Sequence, residues 1–495
     1  MLLRKTTSLC PVCMKLLPAE VIEEDNKVFI QRNCPEHGIH KELYWSDSSL
    51  YKQFHEYGRD GIKPENPQLK PSKGCPWDCG LCSVHESQTL LANIDVTNRC
   101  NLRCWYCFAN AALTGYVYEP SVEQIEKMMD ALRAQKPVPC LAVQLAGGEP
   151  LIRKDIVDLV KLAKKKGFTA VLIATNGIML AQKPELAKQL LDAGATTVYL
   201  KMNGLTPETN NENLKFIPKI IENCRKAKLG IALVPTVING VNDHELFDII
   251  NFALKNIDVV RAVNFQPISF TGRIKDKIRN EQRITIPDLI DRIDKQSKGL
   301  IYRETFFPIT TVYPFSSLAE TVTDKPQTYY SSHPNCGAAT YLFKTDNRVI
   351  PITNFVEVKE LMKVIEEMGT TIKENKGLIG KAKAISLLTK AFQKHVDLKK
   401  SPKGLNLPVL LAKIIITGKY NELAKFHMAS LFIGTMHFMD RYNFDVSRVR
   451  KCVIHYAVPD GRVIPFCAYN SCGYREEIEK LYAKDSIPLN EFKEE

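Results

Sequence analysis

Thirteen of the chain's 15 cysteines stand in spacings that suit metal ligation. Cys10 and Cys13 form Cys-x2-Cys, and Cys34 with His37 lies in Cys-Pro-Glu-His-Gly, beyond a strand-like run from Lys27 to Gln31. Two such knuckles facing each other give tetrahedral ligation of one iron or zinc, with His40 as a rival to His37. Cys75, Cys79 and Cys82 form Cys-x3-Cys-x2-Cys, and Cys100, Cys104 and Cys107 repeat that spacing 25 residues later. A loop of this kind presents three thiolates to three irons of a 4Fe-4S cube and leaves the fourth iron without a thiolate. Two copies imply two clusters. His85, three residues after Cys82, is either a fourth ligand or a neighbouring donor. Cys336, Cys452, Cys467 and Cys472 come from irregular segments marked by Gly, Pro and Asn, which suits a fully ligated cluster or a zinc site with the same thiolates. Cys140 and Cys224 sit in apolar segments and read as small core residues.

The remainder of the sequence must position these groups. With 495 residues, 45% hydrophobic and 25% charged, the chain has the composition of a globular protein of two to four domains, not of a disordered or fibrous one. No run reaches the roughly 18 apolar residues of a spanning helix, and Met1-Leu-Leu-Arg-Lys lacks a signal-peptide core. A cytoplasmic location is expected, where grouped cysteines serve as ligands rather than disulfides. The net charge of +12 is uneven: residues 373–427 hold twelve Lys against three acids. Within them Gly377 to Val396 sets Leu378, Ile379, Ile385, Leu388 and Phe392 near helical spacing among Lys381, Lys383, Lys390 and Lys394, and Leu407 to Ile416 adds further aliphatics. That pattern reads as a basic amphipathic pair for an anionic membrane surface or as a lid with a solvated Lys face. Lacking Arg and rich aromatics, it does not suit nucleic acid.

Strand-like runs at Leu141–Leu145, Ala170–Ala174, Thr197–Met202, Ile231–Val237 and Ala262–Ile268 alternate with helical patterns, one of them capped by Ser121 and Gln124. Such alternation specifies a parallel sheet with right-handed crossovers, and its chemistry lies at the C-terminal strand ends. That rule selects Asn176, Asn203, Thr236 and Gln266 as pocket groups. The run Leu431–Asp440 reads as a core helix or a channel lining, and Arg441, Arg448 and Arg450 as a phosphate-binding group or a solvated face.

The loop from Asn98 to Cys107, with Tyr106 before its third cysteine, resembles the signature of the radical S-adenosylmethionine superfamily, and Gly147, Gly148, Glu149 and Pro150 resemble its GGEP segment. The likeness runs from about Leu91 to Gly272. It implies a partial (β/α)6 barrel in an α/β fold. It also implies a cluster on Cys100, Cys104 and Cys107 whose open iron is chelated by the methionyl group of S-adenosylmethionine, Glu149 receiving the ammonium, and a 5′-deoxyadenosyl radical that abstracts hydrogen.

Over its whole length the chain resembles archaeal tetraether lipid synthase, whose relatives are also described as methyltransferases of 7,8-dihydro-6-hydroxymethylpterin. The resemblance implies C–C coupling of terminal methyl carbons in the isoprenoid chains of diether lipids, with two S-adenosylmethionine molecules per bond because two hydrogens leave; the alternative is methylation of the pterin. It further implies three 4Fe-4S clusters and one mononuclear Fe or Zn. The expected partners are a diether lipid at the inner membrane face and an electron donor such as ferredoxin or flavodoxin. The expected organisation is a rubredoxin- or zinc-knuckle-like module over 1–70, a cluster loop over 71–90, the barrel over 91–275, and an α+β iron–sulfur region over 276–495.

Overall fold

The computed structural model describes residues 1–345, 348–375, 377–402, 405, 407–409, 412, 413, 426 and 429–483. At the N-terminus, four strands, β1 (Leu2–Leu9), β2 (Leu16–Glu24), β3 (Lys27–Cys34) and β4 (Gly38–Trp45), form an antiparallel meander. Its register pairs Leu9 with Leu16 and Cys34 with Gly38, so both knuckles are hairpin turns at one end of the sheet. Period-two alternation buries Val21, Val28, Ile30 and Tyr44 on one face.

The central sheet contains β5 (Leu91–Thr97), β6 (Ala142–Gly147), β7 (Ala170–Thr175), β8 (Thr197–Lys201), β9 (Gly230–Val234), the short β10 (Thr236–Val237) and β11 (Val260–Pro267). The order β5-β6-β7-β8-β9-β11 is parallel throughout, and helices cross between the strands. The first of these helices, Val122–Arg133, starts at Ser121, whose side chain and that of Gln124 complete the capping box read in the sequence, and it buries Ile125, Met128, Met129 and Leu132. The superfamily's α/β sheet is thus present.

Residues beyond 276 extend this sheet at both edges. After β12 (Phe307–Pro308), β13 (Gly337–Lys344) and β14 (Val349–Pro351), β15 (Ser430–Met436) lies parallel to β11, pairing Ala262 with Phe432. At the opposite edge β16 (Ile454–Ala457) lies parallel to β5, followed by antiparallel β17 (Val463–Pro465). The run Leu431–Asp440 is therefore a strand at its start, not the expected helix. A short apolar run buried on both faces carries no period that separates strand from helix.

The basic stretch forms helix Leu378–His395, packed on helix Val358–Glu374 through Ala384, Leu388, Ala391 and Phe392, in a second apolar core with Phe343, Ile365 and Met368. Lys383, Lys390 and Lys394 face outward, and Leu378 and Ile379 are exposed. Residues 410, 411 and 414–416 of the following apolar stretch lie outside the described residues.

One carboxylate joins the N-terminal sheet to the C-terminal region. Asp445 has no exposed surface. It accepts from Thr6 Oγ1 (2.7 Å) and Tyr44 Oη (2.8 Å), pairs with Arg4, and caps its own short helix through Ser447 N (3.0 Å). Burial works against its charge, but Arg4 and these donors outweigh burial and hold the carboxyl well below the usual range. Asp445→Asn leaves Arg4 without its counter-charge, and we expect a loss of about 3–5 kcal/mol, read as a lower urea midpoint in tryptophan fluorescence. Because the folded carboxyl titrates below its unfolded value of about 3.9, the gap between the two proteins is the same at about pH 5 and pH 8 and narrows only as pH falls below about 4. A variant with the wild-type midpoint contradicts the role given to this pair.

Candidate functional site

At the N-terminal metal site the two hairpin turns bring one ligand atom from each of Cys10, Cys13, Cys34 and His37 within 4.8 Å of one another. Cys13 and Cys34 Sγ stand 3.8 Å apart, and His37 Nδ1 is 3.5 Å from Cys34 Sγ. His40 Nε2 lies 3.8 Å from Cys10 Sγ, beside the set. Three thiols and an imidazole at this spacing fit one tetrahedral zinc or iron.

The loop of Cys100, Cys104 and Cys107 leaves the C-terminal end of β5 and lines a cavity of about 270 Å³. Two glycines let it sit there. A Cβ on Gly147, whose φ is +130°, would lie 2.1 Å from Thr97 O, and one on Gly148 would lie 2.1 Å from Arg99 O. The end of β6 thereby bonds along the start of the cysteine loop, Gly148 N to Thr97 O (2.7 Å) and Glu149 N to Arg99 O (2.8 Å). Burial pushes the Cys100 thiol up to about 12. A bound cation is what makes such a buried thiol a thiolate, and the donor set fits an iron cluster with one open position.

Glu149, 1% exposed, lies on the cavity wall beside this loop. It accepts from Leu151 N (2.9 Å), Thr175 Oγ1 (2.7 Å) and Asn176 N (2.7 Å), yet burial still pushes it up to about 7. A carboxylate has roughly four acceptor positions, so one remains for an ammonium. Asn176 also faces the cavity, its Nδ2 donating to Asn101 Oδ1 (2.7 Å). Thr236 and Gln266 pair across β10 and β11 and line the wall. Asn203 does not reach the cavity: its Oδ1 accepts from Thr236 N (3.0 Å) and its carbonyl from Asn242 Nδ2 (2.8 Å), so it ties the loops after β8 and β9 together. Tyr106 donates to Glu212 Oε1 (2.7 Å), and Lys201 lies 3.3 Å from Glu212 Oε2 and 5.4 Å from the Tyr106 ring.

The rest of the lining, apart from the run that holds Phe438, was not foreseen from the sequence. It comprises Asn93, Asp95 and Gln144, then Phe438 and Tyr456, with Phe466 and Arg475 from the C-terminal region. Arg475 pairs with Asp95 and with Glu479 Oε1 (3.0 Å), and its guanidinium lies 5.1 Å from the Tyr456 ring and 4.8 Å from that of Tyr469. Gln144 Nε2 donates to Asn93 Oδ1 (2.9 Å).

Cys75, Cys79, Cys82 and His85 enclose a small cavity with Val449 and Arg450. His85 is buried and pushed down to about 4, hence neutral. Its Nε2 lies 2.9 Å from Cys452 O, a contact that assigns the N–H to that nitrogen and leaves Nδ1 unprotonated. Cys336, Cys452 and Cys467 interact with one another around Arg448. Cys472 lies between the two sets: its thiol interacts with Cys467 of the expected grouping and with Cys75 and Cys79 of the other. Arg448 is buried, which removes it from any phosphate-binding surface. Cys140 and Cys224 have no exposed surface and belong to the core.

Replacing Glu149 by Gln keeps the side chain's shape, leaves one acceptor oxygen for the donors Leu151, Thr175 and Asn176, and removes the charge facing an ammonium. We expect S-adenosylmethionine to bind about 10- to 100-fold more weakly, the effect of losing one charged hydrogen bond, in equilibrium titration of the reconstituted protein. Equal affinity contradicts the assignment.

Comparison with known proteins agrees with this geometry. The model of the radical SAM superfamily matches residues 94–253, and that of the HMPTM N-terminal zinc ribbon domain matches residues 2–46. The solved structure of SuiB from Streptococcus suis bound to S-adenosylmethionine is 17% identical over 43% of this chain and 48% of its own, with a TM-score of 0.34. A GTP 3',8-cyclase of Clostridium acetobutylicum is 32% identical over 40% of this chain and 61% of its own. The 7,8-dihydro-6-hydroxymethylpterin dimethyltransferase of Methanocaldococcus jannaschii is 46% identical over 99% of this chain and 97% of its own. The chain belongs to the radical SAM superfamily and, within it, to the family of that dimethyltransferase.

Proposed function

We propose that this protein is a radical S-adenosylmethionine methyltransferase acting on a reduced pterin, of the class of 7,8-dihydro-6-hydroxymethylpterin. This reverses the order of the two readings taken from the sequence, in which lipid coupling came first. The observation that carries the proposal is the mixed aromatic and polar lining of the cavity beside the cysteine loop. Phe438, Tyr456 and Phe466 offer aromatic faces, while Asn93, Asp95, Gln144, Gln266 and Arg475 offer donors and acceptors. A flat heterocycle edged with N–H, amino and carbonyl groups uses both. The whole-chain likeness to a pterin dimethyltransferase supports the same substrate class.

In this reading Cys100, Cys104 and Cys107 hold a 4Fe-4S cluster, and Glu149 orients S-adenosylmethionine on it. When bound, the cofactor would supply a 5′-deoxyadenosyl radical that abstracts a hydrogen atom from the pterin and leaves the first cofactor's methyl on methionine; the transferred methyl would come from a second S-adenosylmethionine, released as S-adenosylhomocysteine with one electron from the reductant. The chain's part is to seat the pterin against that radical, through the aromatic wall, and to shield the cavity from water. Two further clusters, on the sets of Cys75 and Cys336, and a small redox protein as electron donor complete the proposal.

A second reading keeps the coupling of isoprenoid chains of diether lipids. It is supported by the apolar share of the cavity wall, including Leu91, Val234, Met436 and Ile454, and by the outward lysines beside exposed Leu378 and Ile379. In it the protein rests on an anionic membrane surface as a peripheral enzyme; no helix among the described residues is long and apolar enough to cross a membrane.

Anaerobic incubation of the reconstituted protein with S-adenosylmethionine and dithionite, with either the dihydropterin or a diether phospholipid, separates the two. We expect 5′-deoxyadenosine formation stimulated by the pterin and a pterin product carrying added methyl groups in mass spectrometry. Stimulation by the lipid alone, with loss of two hydrogens per new bond, overturns the methyltransferase reading.

A further inference from the structure

Two arginines on one helical turn, Val446–Arg450, serve different cysteine sets. Arg448 is 2% exposed. Its Nη2 donates to His437 O (2.7 Å), its guanidinium lies 5.7 Å from the Tyr44 ring, and Nε and Nη1 meet no oxygen or nitrogen acceptor. The carboxylate nearest in sequence, Asp445, is committed to Arg4, Thr6, Tyr44 and Ser447. What stands beside Arg448 instead is Cys336 and Cys467: His437, whose carbonyl takes the Arg448 bond, donates its N–H to Cys336 O (3.0 Å), and Met439 N, two residues on, donates to Cys467 Sγ (3.3 Å). A guanidinium does not shed its proton in a protein, so burial demands an anion nearby. Thiols supply that anion only as thiolates, and metal ligation makes them so. Arg450, two residues on, is exposed; it lines the small cavity of Cys75, Cys79 and Cys82 and interacts with Cys75.

We propose that this turn is a charge wedge between two metal–sulfur centres: Arg448 is the buried counter-cation of a centre held by Cys336, Cys452 and Cys467, Arg450 is the exposed counter-cation of one held by Cys75, Cys79 and Cys82, and the pair sets how easily each centre accepts an electron. The inference rests on reading both cysteine sets as cluster sites. One-electron reduction adds negative charge to a centre. A guanidinium in a dry interior stabilises that charge more than one screened by water, so the C-terminal centre has the higher potential of the two if all else is equal.

The test uses the full chain reconstituted with iron and sulfide, analysed for both elements and titrated with dithionite under electron paramagnetic resonance. Cys336→Ser and Cys75→Ser each remove iron and one signal, which identifies the two centres; unchanged iron and signals in Cys336→Ser sink the cluster reading itself. With iron retained, Arg448→Met moves the signal assigned through Cys336 to a more negative midpoint and leaves the other in place. Arg450→Met moves only the signal assigned through Cys75, and by less. An unmoved midpoint in an iron-replete Arg448→Met protein overturns the proposal while leaving the clusters standing. If Arg448→Met fails to fold, Arg450→Met and the charge-keeping Arg448→Lys decide. The first must shift the Cys75 signal alone and the second must hold the Cys336 signal near its wild-type midpoint. Any other pattern overturns the wedge.

Discussion

A single buried carboxylate organises the molecule. Asp445 has no exposed surface, and a charge so placed persists only if every neighbour serves it. Its neighbours come from β1, from β4 and from the turn that it caps. The metal-binding sheet at the N-terminus is thereby fixed against the residues that carry Arg448, Arg450 and Cys452. A second ionic knot repeats the device, with Arg283 between Glu42 of β4 and Asp440. Neither knot involves the reaction. Both hold the thiols in place, and thiols must be held within fractions of an ångström to share a cluster.

The parallel sheet supplies the other half of that positioning. Parallel strands point their C-terminal ends the same way, so the loops after β5, β6, β7 and β11 converge on one cavity. The convergence is tight enough that Gly147 and Gly148 tolerate no side chain against the start of the cysteine loop. An L-residue at Gly147 meets two obstacles there, a positive φ and a backbone oxygen. The added strands β15 and β16 then bring C-terminal residues to the open side. Arg475 reaches across to Asp95 of β5, closing the wall by charge rather than by barrel hydrogen bonds.

The parts of this arrangement that were legible in the sequence are those with local signatures. Cysteine spacings located the knuckles and loops, because ligation restricts how many residues separate two ligands. The period of apolar residues and the Ser121 cap located the first crossover helix. The wall of Asn93, Asp95, Gln144 and Arg475 has no such signature: Asp95 is one residue of a strand, and Arg475 lies 380 residues away on a C-terminal helix. Their partnership is a product of the sheet's edge topology, which no short-range pattern encodes. Asn203 lies off the cavity for a related reason. Residue type suggested a role, but the role depends on which side chain lies opposite, and that is decided by the fold.

The chain's net charge is likewise a poor guide to its chemistry. Twelve lysines lie between residues 373 and 427, yet among the described residues none from that segment lines the cavity at the Cys100, Cys104 and Cys107 loop. The helix Leu378–His395 packs on its own apolar core with the lysines outward, so the strongest charge and the reacting centre occupy separate elements. The charges nearest the cysteine loops and the cavity are few and buried or half-buried: Arg448 beside Cys336, Arg475 beside Asp95, and Lys201 beside Glu212. In a low-dielectric interior each of these outweighs an exposed lysine many times over, because water screens the exposed ones and cannot reach the buried.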